Sequence, residues 1–261
     1  MTMQRAAAVL LLILLAPAQS FAQIREGERI EIGLSTDRVS ITSDFAGANL
    51  TIFGALDNAD PLISRQGRYD IIVVLEGPPQ VVVVRKKSRV LGMWINTQSV
   101  AFQDVPASYS VAMTRAPQDI TDAENYKRLA LRPGNIHLKP LNPDGEPRTI
   151  QEFTAALRAR KEAVGLYVEL VGGVQFLSQN LFRATLKLAP NVSVGTHKAR
   201  AFLFRNGVFV QETSAALTIR KAGLEQRIFD FAHQQSLLYG IAAVLLAILT
   251  GWLGRMVFKK D

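Results

Sequence analysis

The sequence predicts a mainly β protein: immunoglobulin-like β-sandwich modules broken by a helical insertion, with one transmembrane helix at the C-terminal end. Three observations carry this. Short runs that alternate apolar and polar residues, the pattern of half-buried strands, recur between turn residues along most of the chain. Between residues 117 and 165 the apolar period changes to that of helices. Last, Leu237 to Phe258 is uncharged up to Arg255 and apolar on every side, which a core helix of a soluble domain rarely is over such a length.

From the N-terminus, residues 1–22 read as a cleavable signal peptide. Arg5 supplies the positive start, Ala6 to Ala16 an apolar run too short to span, and Ser20-Phe21-Ala22 a small-x-small cleavage site. The body then begins with strands at Arg29–Leu34, Arg38–Thr42 and Asn49–Leu56. Tyr69–Glu76 and Gln80–Arg85 are continuous apolar runs joined by Gly77-Pro78-Pro79, and they read as a central hairpin buried on both faces. On that reading Arg85, Lys86, Lys87 and Arg89 lie at the rim opposite the turn. Strands at Met93–Asn96, Ser99–Phe102 and Ser108–Thr114 complete a β module over 23–116.

The helical insertion spans 117–165. Thr121-Asp-Ala-Glu and Thr149-Ile-Gln-Glu both match the capping box, in which hydroxyl and carboxylate satisfy each other's free amides at a helix start. After the second box, Ile150, Phe153, Leu157 and Val164 form an apolar stripe, Arg158, Arg160, Lys161 and Glu162 a polar face, and Gly165 a stop. Prolines 133, 140, 143 and 147 keep the connection between the helices extended. Strands resume over 166–222 as a second β module, with Arg205-Asn206-Gly207 as a hairpin turn. The entries at Val105–Ala112 and Val194–Ala201 resemble each other, each running from small residues into a strand that starts beside a ring.

Residues 223–236 carry Leu224, Ile228, Phe231 and Ala232 at helical spacing, an amphipathic juxtamembrane segment. Residues 237–258 are the transmembrane helix, with Tyr239 and Trp252 near its ends at headgroup level. Arg255, Lys259 and Lys260 place the tail, 259–261, in the cytoplasm by the positive-inside rule. Signal and cations agree on one topology: a single-pass protein of the inner membrane with its body in the periplasm.

Net charge is +8, but the cations are scattered and no aromatic ladder interleaves them, which argues against nucleic acid. The chain has no cysteine, so no disulfide supports it, and stability must come from an ordinary core. About 210 residues between the apolar ends suffice for that. Chemistry is sparse. His137, His197 and His233 lack ligand spacing, Asp57-Asn-Ala-Asp60 lacks the spacing and glycine of a calcium loop, and no serine sits in a Gly-x-Ser-x-Gly elbow. The sequence therefore predicts neither enzyme, metal site nor cofactor. The densest cationic cluster, Arg85, Lys86, Lys87 and Arg89, is the candidate contact for an anion or lipid headgroup; a solvated turn is the alternative.

The run Ile30-Glu-Ile-Gly-Leu-Ser-Thr-Asp-Arg-Val-Ser-Ile-Thr-Ser-Asp-Phe-Ala-Gly-Ala-Asn-Leu-Thr-Ile-Phe-Gly-Ala55, with the terminal helix and the Leu181 to Arg220 strands, resembles an uncharacterised transmembrane protein family of alphaproteobacteria. The resemblance covers nearly the whole mature chain. It implies a signal-anchored envelope protein encoded near a sulfite/sulfonate-type membrane permease, and it carries no functional residue with it. Two functions follow as expectations: a non-catalytic accessory or binding subunit of such a transporter, with the lipid bilayer and a polytopic permease as partners, or a free-standing envelope ligand-binding or scaffold module.

Overall fold

Two sheets, with strands numbered in chain order, pack face to face around the core of this computed structural model, which describes residues 27–42, 45–143, 145–222, 228 and 231–257, with side chains as far as Gly254. The predicted signal peptide, most of 223–235 and the predicted tail lie outside the described residues. One sheet runs β1 (Arg29–Leu34), β3 (Ala48–Asp57), β11 (Leu181–Leu188), β10 (Val174–Phe176). The other runs β2 (Arg38–Ile41), β13 (Val208–Lys221), β12 (Gly195–Arg205), β4 (Tyr69–Glu76), β7 (Tyr109–Met113), β9 (Tyr167–Val171). Strand β1 lies antiparallel on β3, and the chain then crosses to lay β2 parallel on β13. The two orders correspond to the ABED and GFCC′ sheets of an immunoglobulin-like sandwich.

Segments 23–116 and 166–222 both contribute to each sheet, since β3 pairs with β11 and β4 with β12. They make one interleaved sandwich, not two successive modules. Its interior is filled by Ile30, Ile52, Phe182, Ala201 and Leu217 together with the odd-numbered face of β4, Tyr69 to Leu75. The even-numbered face, Ile72 and Val74, packs with Phe202 and Phe204 under Ile120, Tyr126, Leu131 and Ile136 of the insertion. Strand β4 is thus covered on both sides, which is why it reads as an unbroken apolar run; each large side chain so buried contributes about 1.5–3 kcal/mol.

The run that follows it behaves otherwise. Strand β5 (Pro79–Val90) is largely exposed and does not pair with β4; it pairs with β6 (Met93–Pro106), and the short β8 (Lys139–Pro140) adds to β6. The predicted Gly77-Pro78-Pro79 hairpin is therefore an elbow. The Gly77 N–H donates to Ser108 O (2.8 Å) and the Ala107 N–H to Pro78 O (3.0 Å), so the β4/β7 ribbon continues without a break into β5/β6. Prolines read as turn formers here bend a double strand. Gly77 is needed because a Cβ would fall 2.8 Å from Ser108 N and 3.3 Å from His197 Nε2.

Helix α1 (Pro61–Arg65) is capped by Asp60, whose carboxylate accepts from the Leu62 N–H at 2.8 Å, so Asp57–Asp60 is a turn and cap. Helices α2 (Pro117–Ile120) and α3 (Ala123–Arg128) follow β7. The cap of α3 is Asp122 and not Thr121, whose hydroxyl instead donates to Gly207 O at 2.6 Å. Helix α4 (Pro147–Ala163) starts two residues before the second predicted box, with Pro147 in the first turn, where its missing N–H costs nothing, and Thr149 bonded to Glu146. Its stripe, Ile150, Phe153 and Leu157, covers Val82, Val84, Phe102 and Val105 of the β5/β6 base. Lys161, expected on the polar face, is buried; its Nζ donates to Ala107 O (2.8 Å) and lies 5.7 Å from the Tyr167 ring centroid.

His197 opens β12 in complete burial, with Nδ1 3.3 Å from Gly195 O and Nε2 without a partner among the described residues. Burial lowers its pKa below 6.5, and the Gly195 carbonyl pulls it partly back. The unfolded chain therefore takes up a proton at a pH where the folded chain does not, and stability falls as pH drops below about 6.5. In His197→Phe that part of the slope should disappear, as read from denaturant midpoints between neutral and acid pH. Gly77→Ala should cost about 1–3 kcal/mol by forcing the elbow strands apart, whereas Gly134→Ala, which meets nothing within 4 Å, should stay within about 0.5 kcal/mol. Equal losses at both glycines would mean that the elbow is not a tight contact.

Candidate functional site

The feature that the fold holds out from the body is the far half of the β5/β6 hairpin. Helix α4 covers its base as far as Val84 and Val100, and Lys86 makes the last contact with that helix, its Nζ 2.6 Å from Glu152. Beyond Lys86 the ribbon continues for about 17 Å to the turn at Leu91-Gly92, at roughly 3.4 Å per residue. A shift in register between Lys86 and Lys87 is closed by Thr97 Oγ1, bonded to Ser88 Oγ and Lys86 O.

Arg85, Lys86, Lys87 and Arg89 are brought together as predicted neighbours, but in the middle of a strand and not in a turn. Alternation along β5 puts Arg85, Lys87 and Arg89 on the face away from α4, where Trp94 stands directly opposite Arg89; Lys86 points the other way, to Glu152. The sequence reading missed the residues beyond them: Val90, Leu91, Met93, Trp94 and Ile95 form an apolar tip, with Leu91 94% and Trp94 69% exposed. The signal was present as a glycine inside an apolar run beside a cationic one, but the residues were divided between a turn and a short strand.

Several other charged groups are internally matched. Asp70, buried on β4, accepts from Thr114 Oγ1 (2.8 Å) and Arg115 Nε (2.8 Å), with a second contact from Arg115 Nη2. Arg200 bridges Glu76 (2.9 Å) and Glu212 (2.7 Å) over the Phe202 ring, tying three adjacent strands. An open recess of about 440 Å³ is lined by Arg132, Glu162, Tyr167 and Glu169, and there the Arg132 Nε donates to both Glu169 oxygens, at 3.0 and 2.9 Å. That cation is already neutralised. His137 is exposed on the insertion while His197 is buried at the elbow. Among the described residues no three His, Asp or Glu side chains gather as metal ligands would.

Of the remaining predicted residues, Tyr239, Trp252 and Arg255 lie on α5 (Ser236–Val257), about 33 Å long at 1.5 Å per residue against a hydrocarbon core of about 30 Å. Its Ser236–Gly254 window has a mean hydropathy of 2.1 and none of it is buried. Tyr239 and Trp252 are exposed near its ends, and Tyr239 packs edge-on against Phe231 at 6.2 Å. The side chain of Arg255, and Lys259 and Lys260 entirely, lie outside the described residues.

A sandwich body followed by an apolar helix that no described residue covers defines a membrane-associated β protein. The chain belongs to the family described as "Putative transmembrane protein (Alph_Pro_TM)", which it matches over residues 29–260. No curated protein matches it. Among solved structures it is similar to AggA, the major subunit of aggregative adherence fimbriae type I from Escherichia coli, at 9% identity and a TM-score of 0.26 over 76% of this chain and 97% of that one. It is also similar to a family 123 glycoside hydrolase from Clostridium perfringens, at 9% identity and a TM-score of 0.25 over 76% and 28% of the two chains. The C-terminal domain of AspA from Streptococcus pyogenes gives 10%, 0.23, 74% and 53%. Likenesses at these scores carry no functional argument.

Because the four cations of β5 are exposed and, among the described residues, only Lys86 has a carboxylate partner, changing all four to Gln should alter folding stability by less than about 1 kcal/mol in denaturant unfolding of the detergent-solubilised chain. A larger loss would assign the cluster a structural role.

Proposed function

We propose that this chain is a single-pass inner-membrane protein whose body stands in the periplasm as a non-catalytic accessory or binding subunit of a polytopic membrane transporter, of sulfite/sulfonate type by analogy with the family resemblance. The observation that carries this reading is α5, an apolar helix long enough to span, attached to a folded β body and uncovered by it. Residues 1–22 as a cleaved signal and Arg255, Lys259 and Lys260 as inside anchors support the orientation. Asp70 with Arg115, Glu169 with Arg132, and Glu76 and Glu212 with Arg200 are committed to ion pairs within the fold, which supports a binding role over a catalytic one. A free-standing envelope module is favoured by one feature, the open recess beside Arg132, which has room for a small ligand.

Purification of the full chain in mild detergent should bring down a multi-span partner in fixed ratio, and a phosphatase fused after Asp261 should be inactive. A lone monomer that retains a bound envelope component would support the free-standing module instead, and an active phosphatase would reverse the topology.

A further inference from the structure

The β5/β6 tip is built against the preferences of its own turn. Among the described residues, two hairpins close with both central residues at positive φ, the pattern of a type I′ turn. Between β12 and β13 these are Asn206 (φ 50°) and Gly207 (φ 84°); between β5 and β6 they are Leu91 (φ 50°) and Gly92 (φ 83°). The first pair is what such a turn favours, because asparagine and glycine enter the left-handed region readily. Leucine does not, and its side chain there is 94% exposed. The tip thus accepts backbone strain in order to hold out an apolar side chain, and Val90, Met93, Trp94 and Ile95 stand beside it.

Charge is ordered along the same ribbon. Residues 79–103 contain four cations and no Asp or Glu. Arg89 lies about 7 Å behind Leu91 and Arg85 about 20 Å behind, at roughly 3.4 Å per residue. An apolar end that carries a tryptophan, followed by cations, is the sequence of chemistries met on moving from acyl chains out through an anionic headgroup layer. The base of the ribbon also starts in the right place. Pairing of Glu76 with Lys198 and of Gly195 with Ile219 puts the end of β4 and the end of β13 at one rim of the sandwich. Pro78 Cγ lies 3.2 Å from where a Cβ on Gly195 would stand. From that rim β5 leaves, and β13, which ends there at Lys221, is followed in sequence by α5.

We propose that the Val90–Ile95 tip is a second membrane contact, inserting Leu91, Met93, Trp94 and Ile95 into the interface of the bilayer that α5 spans, with Arg89 on anionic headgroups and Lys87 and Arg85 behind it, drawn by the field of the negative surface. The contact rests on the anchoring part of the function proposed above and is independent of the transporter partner. It turns a body on a single tether into a body held at two points, which fixes the rim of the sandwich towards the lipid.

The chain has two tryptophans, Trp94 and Trp252, so each can be isolated in the full-length protein. Trp252→Phe and, separately, Trp94→Phe are reconstituted into vesicles of phosphatidylethanolamine and phosphatidylglycerol whose acyl chains are brominated. In the first variant Trp94 emission should be blue-shifted and quenched roughly twofold or more relative to unbrominated vesicles, as for a ring at the interface. Adding Leu91→Asn to it should relieve that quenching while leaving the unfolding midpoint unchanged or raised, because asparagine suits the turn. Quenched Trp252 with water-like, unquenched Trp94 overturns the second contact and leaves the anchor standing. Blue-shifted but unquenched Trp94 also overturns it, since the tip is then covered by protein. If neither tryptophan is quenched, the anchor falls and the inference falls with it.

Discussion

The elbow at Gly77-Pro78 and Ala107-Ser108 is the contact on which the remaining architecture depends. There a ribbon buried in the sandwich becomes a ribbon largely outside it, without losing its hydrogen bonds: Gly77 N–H reaches Ser108 O and Ala107 N–H reaches Pro78 O. Each neighbouring layer fastens to this point. Lys161 of α4 donates to Ala107 O, the Tyr167 hydroxyl donates to Pro106 O at 3.0 Å, and His197 lies against Gly77 from β12. Burial lowers the pKa of the Lys161 ammonium, and one carbonyl with a tyrosine face is a small return for taking that charge out of water. The helix is held where its cation can reach the elbow, and its apolar stripe falls on the hairpin base as a result.

The same bend explains why β4 and β5 differ so much after reading so alike. Strand β4 lies between β12 and β7 with the sandwich interior on one side and the insertion on the other. Strand β5, beyond the bend, has only α4 over one face of its base. A valine run specifies extended backbone by its β-branched side chains, but what covers that backbone is decided by topology.

Much of the body was legible because alternation and turn chemistry are local. The β1 and β3 patterns, the Asn206-Gly207 turn and the stop of α4 at Gly165, which has φ 72°, stand where the sequence placed them. What failed depended on distant partners. Gly-Pro-Pro has the composition of a hairpin loop, and only Ser108, thirty residues on, makes it an elbow. Thr121 is as good a cap as Asp122 until Gly207 O claims its hydroxyl. Lys161 belongs to a polar helical face unless an unseen carbonyl waits beneath it. The apolar tip was hidden differently: Leu91 breaks the rule by which turns are recognised, so the residues around it were assigned to separate elements.

In mechanical terms the ribbon is a lever. Pairing is continuous from Met93 and Val90 at the tip to Ile72 and Met113 inside the sandwich, apart from small register shifts, so the arm has no loop at which to dissipate a displacement. Its short limb is β4, which bonds to β12, and β12 bonds to β13, the last strand before the apolar helix. A push on the tip is transmitted sideways through three adjacent strands to the point where the chain leaves for α5, and torque on that point travels back along the same path.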